Sequence, residues 1–176
     1  REYHDKEWGR PLHDDVALFS LFTLETFQAG LSWSIILEKR EHLSRAFHLF
    51  DPYKMKDMSD SDLASMLENP QIIRNRGKIQ AAIQNARVYI EIIESGKSFG
   101  DVVWSYRPEE HASPASSRDI SDETEESRRM SRDLKGMGFA FVGPTICYSL
   151  MQGAGLVNDH VALCPIGMEI ARRETR

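Results

Sequence analysis

A histidine and a cysteine stand four residues apart near the carboxyl end of the chain, in the stretch NDHVALC. Imidazole nitrogen and thiolate sulfur are both good zinc ligands. On a helix, this spacing would place His160 and Cys164 on one face, where both could bind a single metal ion. Two ligands do not complete a tetrahedral site. For the pair taken alone, a packed histidine beside an inert cysteine is the simpler interpretation.

A single carboxylate interrupts an apolar helix face near the amino end of the chain. The segment HDDVALFSLFTLETFQAG predicts a helix capped by Asp14 or Asp15 and ended by Gly30. Within it, Glu25 shares its row with Leu18, Leu21, Phe22 and Ala29. Burying a carboxylate is costly without a partner, and burial would raise its pKa. Glu25 is therefore a candidate functional carboxylate, and a glutamate at the exposed edge of the helix is the alternative.

A glycine-bounded turn, GFAFVG, precedes a helix that begins at Pro144. We expect Gly143 to adopt backbone geometry closed to other residues. The amides of the turn would then project at the helix start, where a phosphate binds well. These amides belong to Phe141, Val142, Gly143 and Thr145. The pattern predicts a helix–hairpin–helix that binds a DNA backbone, and a plain helical hairpin is the alternative.

The elements around these groups are predicted to be helical, because apolar residues recur every three or four positions. Further helices are predicted over SWSIILEKREHLSRAFHLF, closed by Asp51, over SDSDLASMLEN with a Ser59–Asp62 capping box, and over RGKIQAAIQNARVYIEIIES. The short segment FGDVVWSY and an acidic surface loop at about 108–126 follow, and then the helix–hairpin–helix at about 127–153. The fold class is all-α, in one domain spanning 1–176.

Composition limits the classes of function. The chain has 176 residues and a net charge of −5, which argues against nonspecific electrostatic binding to nucleic acid. Four basic residues and no acid lie between residues 69 and 89, however, so one face can still be basic. No apolar run is long enough to span a membrane. Two cysteines argue against a disulfide framework and suggest the reducing cytoplasm. The chain begins at Arg1, and we expect native residues to precede it.

Five ordered blocks carry a resemblance to a known family: YHDKEWGRP, ETFQAGLSW, ILEKRE, IIRNRGKIQAAIQNA and GFAFVGPTICYSLMQGAGLVNDHV. Together they resemble the bacterial 3-methyladenine DNA glycosylase I family, within the helix–hairpin–helix DNA glycosylase superfamily. The resemblance implies helical lobes with a base-binding cleft between them. It also implies base excision repair of alkylated double-stranded DNA by a monomer. Many members of the superfamily carry a catalytic aspartate where this chain has Asn158. This difference restricts the resemblance to a family that does not require the aspartate.

The same resemblance implies a structural zinc ion. By position, its ligands here are His4, His160 and Cys164. The family's remaining ligand is a cysteine upstream of Arg1, so one ligand has no counterpart in this chain. Cys147 lies within the PTICY helix and is expected to be a packing residue.

The substrate suggests which residues form the pocket. Alkylation of adenine at N3 makes the base cationic, so recognition matters more than strong acid catalysis. An extruded cationic base favours aromatic faces and a carboxylate. Tyr3, Trp8 and Trp33 occupy positions where the family builds its pocket wall, with core packing as the alternative. The family's matching glutamate hydrogen-bonds the flipped base, so the resemblance makes Glu25 the candidate catalytic residue, which would bind the base and orient the attacking water.

Extruding a base leaves a gap that such enzymes fill with a wedge side chain. Leu31, in the turn AGLSW, is the candidate wedge, and an ordinary hydrophobic cap contact is the alternative. Arg74, Arg76 and Lys78 are candidate phosphate contacts or simply solvated side chains.

No lysine stands out as an amine nucleophile, so strand cleavage is not expected. Two other functions stay open at this point: a noncatalytic helix–hairpin–helix DNA-binding module, and a zinc-dependent hydrolase with an open catalytic site.

Overall fold

The computed structural model describes residues 1–174 and is helical, with no strand in that range. The all-α prediction is confirmed. In chain order the helices are α1 (Glu2–Lys6), α2 (Asp15–Gln28), α3 (Trp33–Ala46), α4 (Pro52–Met55), α5 (Asp60–Glu68), α6 (Arg76–Glu94), α7 (Phe99–Trp104), α8 (Glu125–Met137), α9 (Pro144–Gly153) and α10 (Pro165–Glu174). Two short 3₁₀ turns are added, at His48–Phe50 and Ser117–Asp119.

Helix α2 is central, packing against α3, α6, α7 and α9. Its start is capped as predicted, because the Asp14 carboxylate accepts a hydrogen bond from the amide of Ala17 at 2.8 Å. The Asp15 carboxylate instead accepts from the amides of Phe99 and Gly100 at the start of α7. These contacts fix α2 relative to α7. The helix that carries Glu25 is thereby held within the body of the protein.

The core is one contiguous cluster in which aromatic rings dominate. The Phe19 ring lies 5.0 Å from that of Tyr89 on α6, and the Phe22 ring lies 5.3 Å from Phe139 in the hairpin. Tilted and edge-on ring pairs at such distances add to the stabilisation from apolar burial. Because α2, α6 and the hairpin share these rings, the candidate groups of all three sit on one rigid framework.

Helix α3 ends at Ala46, so the prediction that it continues to Phe50 is wrong. The cause is a left-handed turn in which His48, Leu49 and Phe50 all have positive φ, between 53° and 62°. Such geometry is costly for residues other than glycine. Burial of the Phe47 and Phe50 side chains offsets that cost, with their rings stacked 6.2 Å apart.

The acidic loop is shorter than predicted. Helix α8 begins at Glu125, because Thr124 and Ser127 form a capping box there. The segment FGDVVWSY contains α7, which the sequence did not predict as a helix. The predicted Ser59–Asp62 capping box at α5 is present.

Candidate functional site

Glu25 is buried without full hydrogen bonding. Its side chain is 3% exposed, and Oε2 has no hydrogen-bond partner among the described residues. Burial raises the pKa of Glu25 to about 8. Native proteins rarely leave a buried polar atom unsatisfied, so an orphaned carboxylate oxygen marks a place where a ligand can supply the missing partner.

Tyr3 and Trp33 complete this cluster. Their rings lie 5.2 Å apart at a 49° tilt, and Trp33 Nε1 is a second buried polar atom without a partner. Burial raises the pKa of the Tyr3 hydroxyl, and the nearby Glu25 carboxylate raises it further. A carboxylate, an indole N–H and two aromatic rings therefore lie together, as suits a flat polar base.

A glycine on α9 makes this arrangement possible. A Cβ on Gly153 would lie 3.2 Å from the Tyr3 hydroxyl and 3.4 Å from Glu25 Oε1. The missing side chain therefore lets both groups approach α9 closely. A cavity of about 750 Å³ borders Tyr3, Leu21 and Gly153 and continues between α2 and α3. Tyr3 is the member of the cluster that lines this cavity, which is large enough to admit a nucleobase, whereas Glu25 and Trp33 do not line it.

Trp8 lies elsewhere. Its ring lies 4.6 Å from that of His160 and 6.0 Å from that of His4. The prediction that Trp8 forms the pocket wall with Tyr3 and Trp33 is therefore not supported by its ring contacts. It packs against the histidines that tie the two ends of the chain together.

Three potential metal ligands converge at these chain ends. One ligand atom from each of His4, His160 and Cys164 lies within 4.8 Å of the others. Cys164 Sγ is 3.9 Å from His4 Nε2, close to the separation of about 3.6 Å expected between nitrogen and sulfur ligands on a tetrahedral zinc ion. The predicted helical turn is wrong, however: residues 158–164 form a loop, and α10 begins only at Pro165.

The histidine rings are oriented as metal ligands usually are. Asn158 Oδ1 lies 2.9 Å from His160 Nδ1, and Asp5 Oδ1 lies 2.9 Å from His4 Nδ1. Donation from Nδ1 in each case leaves Nε2 available, as in the outer shell of many metal sites. Asn158 therefore has a defined place: it orients His160. Burial, with the charges of His4 and Arg10, lowers the pKa of His160 and favours the neutral ring.

The hairpin between α8 and α9 has its left-handed residues where they were not predicted. Gly138 ends α8 at φ 102°, and Phe141 has φ 57° although it carries a bulky side chain. Gly143 has φ −62°, so the expectation of unusual geometry there is wrong. A Cβ on Gly143 would meet nothing within 4 Å. The space beside Gly143 is therefore open, so that a phosphate can approach this helix start.

The other hairpin residues divide between core and surface. Val142 is 1% exposed as a whole residue, so the prediction that its amide contacts DNA is wrong and its side chain serves the core. Thr145 is exposed at the first turn of α9. Cys147 is a buried packing residue whose thiol lies 3.5 Å from the Val142 carbonyl, and burial raises its pKa to about 12. Phe141 is 42% exposed.

Two polar residues that the sequence analysis did not select hold the hairpin backbone. Asn85 on α6 donates to the Ala140 carbonyl at 3.1 Å and accepts from the Ala140 amide at 2.8 Å. Ser131 on α8 donates to the Val142 carbonyl at 2.6 Å. Their only sequence signal is a polar side chain on the apolar face of a helix, as for Glu25.

The three candidate phosphate contacts differ in their exposure to solvent. Arg74 and Arg76 are exposed, and neither pairs with an acidic group of the described residues. Lys78 is 6% exposed, and its Nζ donates to the carbonyls of Phe27 and Ala29. Burial lowers its pKa. The prediction that Lys78 contacts phosphate is wrong, because its buried amine already donates hydrogen bonds within the protein.

Leu31 lies in the turn that follows α2, next to Gly30 with φ 76°. It is half-buried against the core, so both a wedge role and a cap contact fit its position. The wedge role stays a prediction.

A second buried carboxylate was missed. Asp159 accepts hydrogen bonds at 2.7 Å from His111, from the Tyr148 hydroxyl and from the Gln152 amide. Although burial opposes ionisation, these donors hold the pKa of Asp159 below its ordinary value. Because His111 belongs to the acidic loop, that loop is anchored to α9. No pattern in the sequence signals a contact between residues 48 positions apart.

Comparison with known proteins gives a consistent result. The sequence profile described as methyladenine glycosylase matches residues 1–167. DNA-3-methyladenine glycosylase 1 of Escherichia coli is 47% identical over 165 residues, which cover 92% of this chain and 88% of the relative. The Haemophilus influenzae DNA-3-methyladenine glycosylase is 42% identical over 167 residues, which cover 93% of this chain and 90% of the relative.

Similarity extends to solved structures. A variant of 3-methyladenine DNA glycosylase I crystallised in complex with 3-methyladenine superposes with a TM-score of 0.90 at 35% identity, covering 94% of this chain and 90% of the other. Among the described residues, no helix is long and apolar enough to cross a membrane.

Proposed function

This chain belongs to the methyladenine glycosylase family, and we infer that it takes 3-methyladenine out of alkylated DNA and hydrolyses its N-glycosidic bond. The products are the free base and an abasic site. The observation that carries the residue assignment is the pair of orphaned buried polar atoms, Glu25 Oε2 and Trp33 Nε1, beside the Tyr3 ring.

The chemistry of the substrate matches this site. N3-methylated adenine carries a positive charge in the nucleotide, and the bond to C1′ breaks with its electron pair passing to the base, which leaves neutral. Water adds its oxygen to C1′ and loses a proton. We propose that Glu25 hydrogen-bonds the extruded base and orients this water. A cationic base beside Glu25 would lower the raised pKa of that carboxyl and favour its charged form.

Duplex DNA is the proposed substrate, held by the hairpin amides of Gly143 and Thr145 and by the exposed Arg74 and Arg76, with Leu31 as the wedge. We propose a monomer as the acting unit, as the family resemblance implies. Neither cysteine forms a disulfide, which supports the cytoplasm as the compartment.

The decisive experiment is chromatography of the bases released from methylated duplex DNA. We expect 3-methyladenine, with little 7-methylguanine, and no covalent adduct with DNA after borohydride treatment. Release of no base by well-folded protein would contradict the activity. A trapped adduct would contradict only the proposal that strand cleavage is absent.

We further propose a structural zinc ion held by His4, His160 and Cys164. The two anchored Nδ1 atoms and the convergence of three ligand atoms support it. Bound zinc would tie α1 to the loop before α10, with a water molecule or a ligand from outside the described residues in the fourth position.

Metal analysis and chelation test this site. We expect about one zinc per chain by elemental analysis, and a lower melting temperature after chelation, with base release retained at low temperature. Immediate loss of activity from chelated but folded protein would instead favour a catalytic zinc.

A further inference from the structure

We propose that helix α6 sets the spacing between two DNA-facing loops, with Lys78 and Asn85 as the positioning residues. The first loop is the wedge turn (residues 29–32), and the second is the hairpin (residues 138–143). The inference rests on the proposed function, in which both loops contact the same duplex.

Lys78 and Asn85 share an unusual property. Both are polar residues of α6, and both are buried, at 6% and 0% exposure. They are seven positions apart in the sequence, so they lie on one face of the helix, about two turns and about 10 Å apart. A buried polar group is costly unless its hydrogen bonds are made, and each of these side chains makes them to the backbone of a different loop.

Lys78 holds the wedge turn. Its Nζ donates to the Phe27 carbonyl at 2.7 Å and to the Ala29 carbonyl at 2.5 Å. The carbonyl between them, on Gln28, accepts from the Leu31 amide. Three successive carbonyls at the end of α2 are thus occupied, and a positive charge at a helix carboxyl end is favourable. Leu31 follows directly, so its position depends on this contact.

Asn85 holds the hairpin. It contacts both the amide and the carbonyl of Ala140, and a two-point contact fixes orientation as well as distance. A second contact lies near the start of α6, where the Phe141 ring passes 3.7 Å from the place a Cβ would occupy on Gly77. The hairpin therefore meets α6 at two levels, close to the exposed Arg76.

One rigid helix thus bridges the two loops. A duplex must meet the hairpin amides with its phosphates while the wedge enters its base stack, so the distance between the loops has to match the DNA. A misplacement of about 1 Å can cost about a hundredfold in rate. Lys78 would affect base extrusion by positioning the wedge turn, and Asn85 would affect DNA binding by positioning the hairpin against phosphate.

Substitutions of Lys78 and Asn85 should change the kinetics in different ways. Lys78→Met keeps the aliphatic stem, and we expect at least about a tenfold loss in single-turnover excision from duplex DNA. A bubble substrate, in which the lesion is already unpaired, should lose less than about threefold, because extrusion no longer limits the reaction. Asn85→Ala should raise KM about tenfold for both substrates with little change in kcat.

Controls separate positioning from folding. Lys39 also donates to two carbonyls, those of Pro70 and Gln71, but outside both loops, so Lys39→Met should leave both substrates unaffected. Binding of free 3-methyladenine, followed by tryptophan fluorescence, should be unchanged in all variants. Lys78→Arg, which keeps the charge and donors, should recover part of the duplex activity.

Each result has one interpretation. For Lys78→Met, equal losses on duplex and bubble, or weaker binding of free base, would overturn the inference and make Lys78 merely structural. Unchanged kinetics in both variants would overturn it as well. Wild-type protein that releases no 3-methyladenine from either substrate would contradict the proposed function instead.

Discussion

Glu25 and Asp159 are buried to the same extent, each 3% exposed, yet their pKa values shift in opposite directions. Asp159 receives three hydrogen bonds, and its pKa lies below the ordinary value. Glu25 has an oxygen with no partner, and its pKa rises to about 8. The difference teaches that burial alone does not decide the charge of a carboxyl group, because the available donors do.

The two regions therefore serve different purposes. The Asp159 network is complete within the protein and joins the acidic loop to α9. The Glu25 cluster is incomplete, which costs stability and leaves hydrogen-bonding capacity for a substrate. Incomplete polar clusters of this kind are typical of functional sites.

The largest expected effect is on catalysis. Glu25→Gln keeps the shape of the side chain but removes its charge, and we expect single-turnover release of 3-methyladenine to fall roughly a thousandfold. The melting temperature should hold or rise, because a costly buried carboxyl is gone. Glu68→Gln, at the exposed end of α5, is the matched control and should change neither quantity. Activity within about threefold of wild type would show that Glu25 is not the catalytic group.

Asp159→Asn should act on stability instead. The amide would place an NH₂ group against donors from Tyr148 and Gln152 or from His111, so at least one donor loses its acceptor. We expect the free energy of unfolding to drop by about 3 kcal/mol, measured by urea denaturation. A variant as stable as wild type would mean that this network contributes nothing to the free energy of unfolding. Asp159 would then not differ from Glu25 in stabilising the fold.

Local patterns explain how much of this was predictable. Apolar spacing placed Glu25 on the buried face of α2, and Asp14 caps that helix as its residue type indicates. The left-handed turn at His48–Phe50 was not predictable, since burial of Phe47 and Phe50 overrides the helical pattern there. Local sequence gives the face of a residue but does not give the partner on that face.

The candidate site likewise contains contacts that local sequence does not predict. The family resemblance predicted that His4, His160 and Cys164 lie close together, and they do. The prediction that His160 and Cys164 share a helical turn was wrong, because they lie in a loop. The prediction that Lys78 contacts phosphate failed because a lysine at a helix start is usually solvated. Its hydrogen-bond acceptors, the carbonyls of Phe27 and Ala29, lie about fifty residues away in sequence. Nonlocal partners decide the roles of such polar groups.

The pH dependence of stability sharpens the contrast further. The Glu25 pKa is raised from 4.5 to about 8 on folding, so the folded state binds this proton more tightly. Stability should therefore fall as pH rises from about 5 to about 8, and the Glu25→Gln variant should lack this slope. A pKa unit corresponds to about 1.4 kcal/mol and partial relaxation reduces the total, so we expect a difference of about 2 kcal/mol. Parallel pH profiles for the two proteins would mean that Glu25 does not hold its proton on folding.

The smallest effect belongs to His111, the outermost donor of the Asp159 network. Its side chain is 24% exposed, and it supplies one of the three hydrogen bonds. His111→Ala should cost only about 1 kcal/mol of unfolding free energy, because Tyr148 and Gln152 remain on the other carboxylate oxygen and water can reach the vacated one. The acidic loop, however, loses its anchor to α9, so limited proteolysis should cut residues 108–124 faster than in wild type. Faster cleavage with a small loss of stability would show that the complete network serves to hold the loop. Unchanged cleavage would assign that task to other contacts, such as the hydrogen bond from the Ala162 amide to the Pro114 carbonyl.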